Sequence, residues 1–139
     1  MNRNERLQKI VENEPTFINT FNNSENAYVI LQLPIEALYK FRDYEDVTEY
    51  LKLKPVREDY NILWAERCMS LDNPTTKEIN EILEGIFIRF NCGERPTMTD
   101  NYYGTSLSVS DVIILKLNNT TNAYYVDSFG FKKLENFEF

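Results

Sequence analysis

Residues 112–127 read VIILKLNNTTNAYYVD. Two apolar, β-branched and aromatic runs flank the polar stretch Asn118-Asn119-Thr120-Thr121-Asn122. This pattern predicts a β-hairpin, with strands over Val112–Leu117 and Ala123–Asp127 and the polar stretch as a five-residue connection. A hairpin forces antiparallel pairing. Upstream, AYVILQL over Ala27–Leu33 carries one polar residue in seven, which predicts a strand buried on both faces and therefore central in the sheet. Ala27, Val29, Leu31 and Leu33 point one way, and Tyr28, Ile30 and Gln32 the other. YNILWAE over Tyr60–Glu66 reads as a second strand with Tyr60, Ile62 and Trp64 on one face.

Helical spacing appears between these strands. Ile79, Ile82, Leu83, Ile86, Phe87 and Phe90 recur at i, i+3, i+4, i+7, i+8 and i+11, behind a Thr75/Glu78 pair with capping-box spacing. They predict an amphipathic helix over 75–90, ended by Gly93 and Pro96. Asp46–Leu53 reads as a shorter helix with Asp43 as N-cap and Val47, Tyr50 and Leu51 inward. Asn4–Asn13 reads as a helix with Leu7, Ile10 and Val11 on one stripe, stopped by Pro15. Phe17, Ile18 and Phe21 then fall in a loop. Ile35, Leu38 and Tyr39 suggest one helical turn, and Phe131, Leu134 and Phe137 another at the C-terminal end. The expectation is an α+β fold: a mainly antiparallel sheet of about four strands with helices packed on one face, in the order α-β-α-β-α-β-β. One domain is expected over 1–139, with 1–26 as an N-terminal helix and loop extension.

Composition narrows the chemistry. The 139 residues are 42% hydrophobic and 14% aromatic, with only 4 Gly and 5 Pro, so disordered and collagen-like readings fail. There is no histidine, which removes serine triads, Cys-His pairs and His-bearing zinc sites. Cys68 and Cys92 read as reduced thiols, and Cys92, just past a helix C-terminus, is a poor nucleophile. No glycine pattern cradles a nucleotide. The opening MNRNERLQKI lacks a secretion pattern and no apolar run is long enough for a membrane, so a cytoplasmic setting is expected. Net charge is −7 with fifteen basic residues scattered along the chain, which disfavours direct nucleic-acid binding.

Two stretches are distinctive: GTSLSVSDV over Gly104–Val112 and YYVDSFGF over Tyr124–Phe131. With the AYVILQL strand, FRDYEDVTEYLKL, DYNILWAE and the helix ending Phe87-Ile88-Arg89-Phe90-Asn91, they resemble the YodL-like domain over residues 27–137. The chain is similar to C-terminal modules of large multidomain proteins from conjugative elements and phages of Firmicutes. The resemblance implies a mobile-element setting and supplies no reaction and no catalytic residues; stand-alone members have been linked to interference with host cell processes.

Ser106, Ser108, Ser110 and Asp111 crowd one segment, with Asp127 and Ser128 on the partner strand of the hairpin. One reading pairs Asp111 with Asp127 as a carboxylate dyad or a Mg²⁺ site. The structural reading, preferred here, has these side chains accept backbone N–H groups at the entry to the Val112–Leu117 strand. It expects a loss of about 0.5–2 kcal/mol in Asp111→Ala. Gly130 is expected at positive φ in a turn. Glu78, Glu81 and Glu84 form an acidic stripe, and Tyr102 and Tyr103 are loop tyrosines suited to an interface. These five are the candidate protein-binding residues. The functional expectation is a non-enzymatic protein with no cofactor and no metal. It would bind another protein stoichiometrically, such as a basic nucleic-acid-binding effector, and inhibit a host defence nuclease of the anti-CRISPR or anti-restriction type. The alternatives are a metal-assisted enzyme using Asp111 and Asp127, or a docking module for a larger mobile-element protein.

Overall fold

The computed structural model describes residues 1–91 and 101–139. The expected end of the long helix at Gly93 and Pro96, and Cys92, lie outside them. The elements run α1 (Arg3–Asn22), β1 (Ala27–Gln32), β2 (Asn61–Arg67), α2 (Thr76–Phe90), β3 (Val112–Leu117), β4 (Thr120–Val126) and β5 (Phe131–Leu134), with a π-helical turn at Asp46–Tyr50 and a 3₁₀ turn at Arg57–Asp59. The fold is α+β, with one antiparallel sheet of five strands in the order β2-β1-β3-β4-β5.

β1 is an interior strand, buried along its whole length. Its two faces feed two apolar clusters. Ala27, Val29 and Leu31 join Val112, Ile114, Tyr125, Tyr39, Val47 and Tyr60 on one side. Tyr28 and Ile30 join Ile113, Leu115, Leu83, Ile86 and Phe90 on the other. Burial of both faces explains why β1 and β3 read as apolar runs without alternation.

α2 forms as its sequence dictates. Thr75 Oγ1 accepts from the Glu78 N–H at 3.1 Å and the Glu78 carboxylate accepts from the Thr75 N–H at 3.0 Å. Leu83, Ile86 and Phe90 are buried, with Ile79, Ile82 and Phe87 packed beside them. At the far end the Phe90 carbonyl accepts from the Leu107 N–H, so a distant segment completes the helix terminus.

Several expectations are corrected. Pro15 does not stop α1, which runs on to Asn22 and carries Phe17 and Phe21 into the core. An interior proline costs about 3 kcal/mol. Burying two phenylalanines returns roughly 3–6 kcal/mol, and Val11, whose carbonyl loses its partner, is exposed rather than inward. Helices do not cover one face alone: α1 packs along the edge strand β2, placing Phe17 and Phe21 in one cluster and Ile10 in the other. Trp64 does not lie on the Ile62 face alone: its ring packs against both clusters, 5.4 Å from Phe17 and 6.4 Å from Phe90. Ile30 pairs with Trp64 and Leu31 with Ile62, so Leu63 is an extra residue in β2 and the bulge resets the alternation.

The β3–β4 connection is two residues, Asn118 and Asn119, at φ 50° and 66°, because asparagine tolerates the left-handed region that a tight hairpin needs. The C-terminal residues make strand β5, not a helical turn; Phe131 and Leu134 reach opposite clusters, as residues three apart in a strand must. The 46–53 helix shrinks to the single π turn. Asp43 does cap it, accepting from the Asp46 N–H at 2.8 Å, and Val47 is inward, but Tyr50 is 80% exposed.

Candidate functional site

The segment 104–111 crosses the end of the sheet before β3, and its geometry starts from two packing constraints. A Cβ at Gly104 would lie 2.8 Å from the Leu63 side chain and 2.9 Å from Gln32 Oε1, so only glycine allows the backbone to lie this close to β1 and β2. Gln32 then reads that backbone: its Oε1 accepts from the Thr105 N–H at 3.0 Å, and its amide donates to the Thr105 carbonyl at 3.2 Å. It also donates to Asp111 Oδ2 at 3.0 Å.

Asp111 is fully buried. Oδ2 accepts additionally from the Ser108 N–H at 2.9 Å, while Oδ1 faces Lys40 Nζ at 3.3 Å. The Lys40 side chain is only 5% exposed. Burial pushes the Asp111 carboxyl up to about 6, against the opposing pull of Lys40, Gln32 and Ser108. Ser110, also fully buried, sits at φ 89°. Its Oγ accepts from the Phe41 N–H at 2.9 Å and its carbonyl accepts from Tyr60 OH at 2.7 Å.

Asp127 completes the arrangement from the end of β4. Its Oδ1 accepts from the Tyr44 N–H at 3.1 Å and the Ser128 N–H at 2.9 Å. Beside it Tyr125 OH donates to the Arg42 carbonyl at 2.6 Å. Tyr39 OH donates to Asp59 Oδ2 at 2.7 Å. Burial raises the phenols of Tyr39, Tyr60 and Tyr125 well above their ordinary value, so all three act as neutral donors.

These contacts share one consequence. The loop 39–46 is held at Lys40, Phe41, Arg42 and Tyr44 by side chains of the two distinctive stretches, and at Tyr39 by Asp59. The loop includes Phe41 at φ 68°, a conformation that a bulky residue occupies only where surrounding bonds impose it. The imposed geometry leaves the Phe41 ring 55% exposed, with Leu38 and Ile35 exposed nearby in sequence.

The other candidates are distributed around the molecule. Ser106 is half-buried and its carbonyl faces the Gln32 amide; the Ser108 hydroxyl is buried with no hydrogen-bond partner. Gly130 stands at φ 76° in the β4–β5 turn, where its carbonyl accepts from the Asp127 N–H at 3.0 Å. Glu78 is committed to the cap of α2, while Glu81 and Glu84 are exposed. Arg89 pairs with Glu66, not with the acidic stripe. Tyr102 is fully buried, 5.1 Å from the Phe90 ring, with its OH on the Thr105 carbonyl, so it supports the core end; Tyr103 is half-buried. Cys68 is half-buried and its thiol is raised by burial and by Glu66.

Asp111 and Asp127 therefore serve backbone amides, Gln32 and Lys40. Among the described residues no three His, Cys, Asp or Glu side chains gather to hold a metal ion. Sequence reading missed the roles of Lys40, Gln32 and Tyr60; it groups Tyr39, Phe41 and Tyr44 as an aromatic cluster beside Arg42 and Asp43 without deciding between an interface and a core cover. Gln32 did carry a signal, as the one polar residue in the apolar run AYVILQL. Among the described residues no helix is long and apolar enough to cross a membrane. No match appears among curated proteins or among solved structures. A family model, the YodL-like domain, matches residues 27–137, from the first residue of β1 through both distinctive stretches and the loop they hold, and the chain belongs to that family.

Proposed function

We propose that this chain is a non-enzymatic binding protein of a mobile genetic element or phage, acting by stoichiometric contact with another protein. In this reading the partner is a basic, nucleic-acid-binding effector, and the consequence is inhibition of a host defence nuclease. One observation carries the reading: Ser110, Asp111, Tyr125 and Asp127 of the two distinctive stretches are spent on holding a loop that presents an exposed phenylalanine in an imposed conformation. A binding surface needs rigid aromatic contact area. Catalysis needs proton-transfer groups left available to a reacting atom. A standard interface takes about 800 Å² per partner, which a domain of this size can present. The net charge of −7 would steer the chain towards a basic cleft, with association weakening as salt rises.

The test is a titration against RNA-guided and restriction nucleases. Inhibition should saturate near equimolar protein. Phe41→Ala should weaken it about tenfold or more with little change in unfolding midpoint. Charge reversal at Glu81 and Glu84 should slow association if the exposed part of the acidic stripe faces the partner. Full inactivation of a target at about a hundredfold substoichiometric dose would show turnover and overturn the reading.

A further inference from the structure

A cleft of about 170 Å³ lies between the first half of α1, the end of β1 and the 103–105 segment. Arg3, Arg6 and Lys40 all line it, although the chain carries a formal charge of −7. Two of the three cations are matched. Lys40 faces buried Asp111, and Arg3 pairs with the exposed Glu36. The half-buried Arg6 guanidinium has no ion pair or side-chain hydrogen bond among the described residues. The cleft thus holds one uncompensated positive charge. Its walls are otherwise mostly apolar or aromatic, with Leu33, Ile35, Phe41 and Tyr103 among them, and the neutral polar residues Gln32, Asn61 and Thr105 complete the lining.

Those features select a ligand. A small-molecule site encloses roughly 300–1,000 Å³ and buries most of its ligand. This cleft is smaller, sized for one terminal group and one side chain of something that stays largely outside. A single guanidinium matches a carboxylate bidentately. A phosphate dianion would leave one charge unmatched in a largely apolar recess. We propose that the cleft captures the C-terminal carboxylate and last apolar side chain of a protein partner, with Arg6 on the carboxylate and Phe41 and Tyr103 against the side chain. Terminal-carboxylate capture is a recurring way of reading a peptide end. The assignment rests on the protein-binding reading above and gives that partner an exposed apolar C terminus.

The experiment is calorimetric titration of the full chain with the peptide acetyl-Ala-Ala-Leu-Phe as the free acid and as the C-terminal amide, with hexanoate and inorganic phosphate as further arms. The acid should bind about tenfold or more tightly than the amide, the ratio expected for one charge-assisted pair. Arg6→Gln should bring the acid down to the amide's affinity and leave the unfolding midpoint in place. Equal binding of acid and amide, no binding of either, or Arg6→Gln without effect would each overturn the proposal. So would phosphate or hexanoate binding as tightly as the acid. If the acid binds as expected while no nuclease is inhibited, the cleft stands and the nuclease reading falls.

Discussion

The two faces of the sheet are covered by different physics. On one, α2 is specified by its own residues: a capping box at its start and apolar side chains at helical spacing along its length. On the other, the segment from Pro34 to Lys54 has little regular structure of its own. It contributes Tyr39 and Val47 to the core but is kept in place by bonds from Ser110, Asp111, Tyr125 and Asp127. The first cover is coded locally and the second remotely. A remotely held loop can hold a residue such as Phe41 where propensity would not put it, so the remotely held side is where a recognition surface can be built.

Removing the anchor of the second cover should have the largest effect. Asp111→Ala leaves Lys40, the Gln32 amide and the Ser108 N–H without their buried acceptor. A loss of about 3–5 kcal/mol is expected in denaturant unfolding, above the 0.5–2 kcal/mol of a simple cap, because a buried charge is stranded. A loss under about 1 kcal/mol would mean that Lys40 simply turns out to water.

The first cover breaks through packing alone. Leu83 is fully buried and Ile82 only partly. Leu83→Ala should cost about 2–5 kcal/mol, and Ile82→Ala clearly less. Equal losses in the two variants would say that α2 is rotated about its axis from the orientation described.

A pH series sharpens the contrast, because the second cover contains the buried carboxyl of Asp111. The Asp111 carboxyl is raised to about 6, from an ordinary value near 4. Between those values the folded chain keeps a proton that the unfolded chain has released. The stability that this group contributes is therefore fully present below about pH 4 and falls as pH rises to about 6, by at most about 3 kcal/mol. Asparagine does not titrate, so the stability of Asp111→Asn relative to the parent should climb across that interval. A flat difference would show that Lys40 holds the carboxylate ionised throughout.

The smallest expected effect lies in the hairpin turn. Asn119 stands at φ 66° in the two-residue turn. Asn119→Gly should stabilise by about 0.5 kcal/mol or less, since Asn-Gly is the preferred pair for this turn. Destabilisation would indicate that the Asn119 side chain makes a contact that the turn geometry does not require.

Some elements are legible along the chain because their residues carry their own instructions. β1 announced its interior place by apolar residues on both faces, α2 by spacing and cap, Gly130 by its turn, and the Ser110–Asp111 pair by side chains that favour backbone partners. Tertiary structure decided the rest. Pro15 stays inside a helix because Phe17 and Phe21 have a core to enter. Trp64 reaches both clusters because a bulge at Leu63 resets a two-residue period. Tyr102 is buried because Phe90 lies beside it. Lys40 and Phe41 are joined to Ser110 and Asp111 across about seventy residues of chain. Periodicity reports a residue's relation to its own element, and such long-range pairs become readable only once the sheet has brought the two segments to the same end.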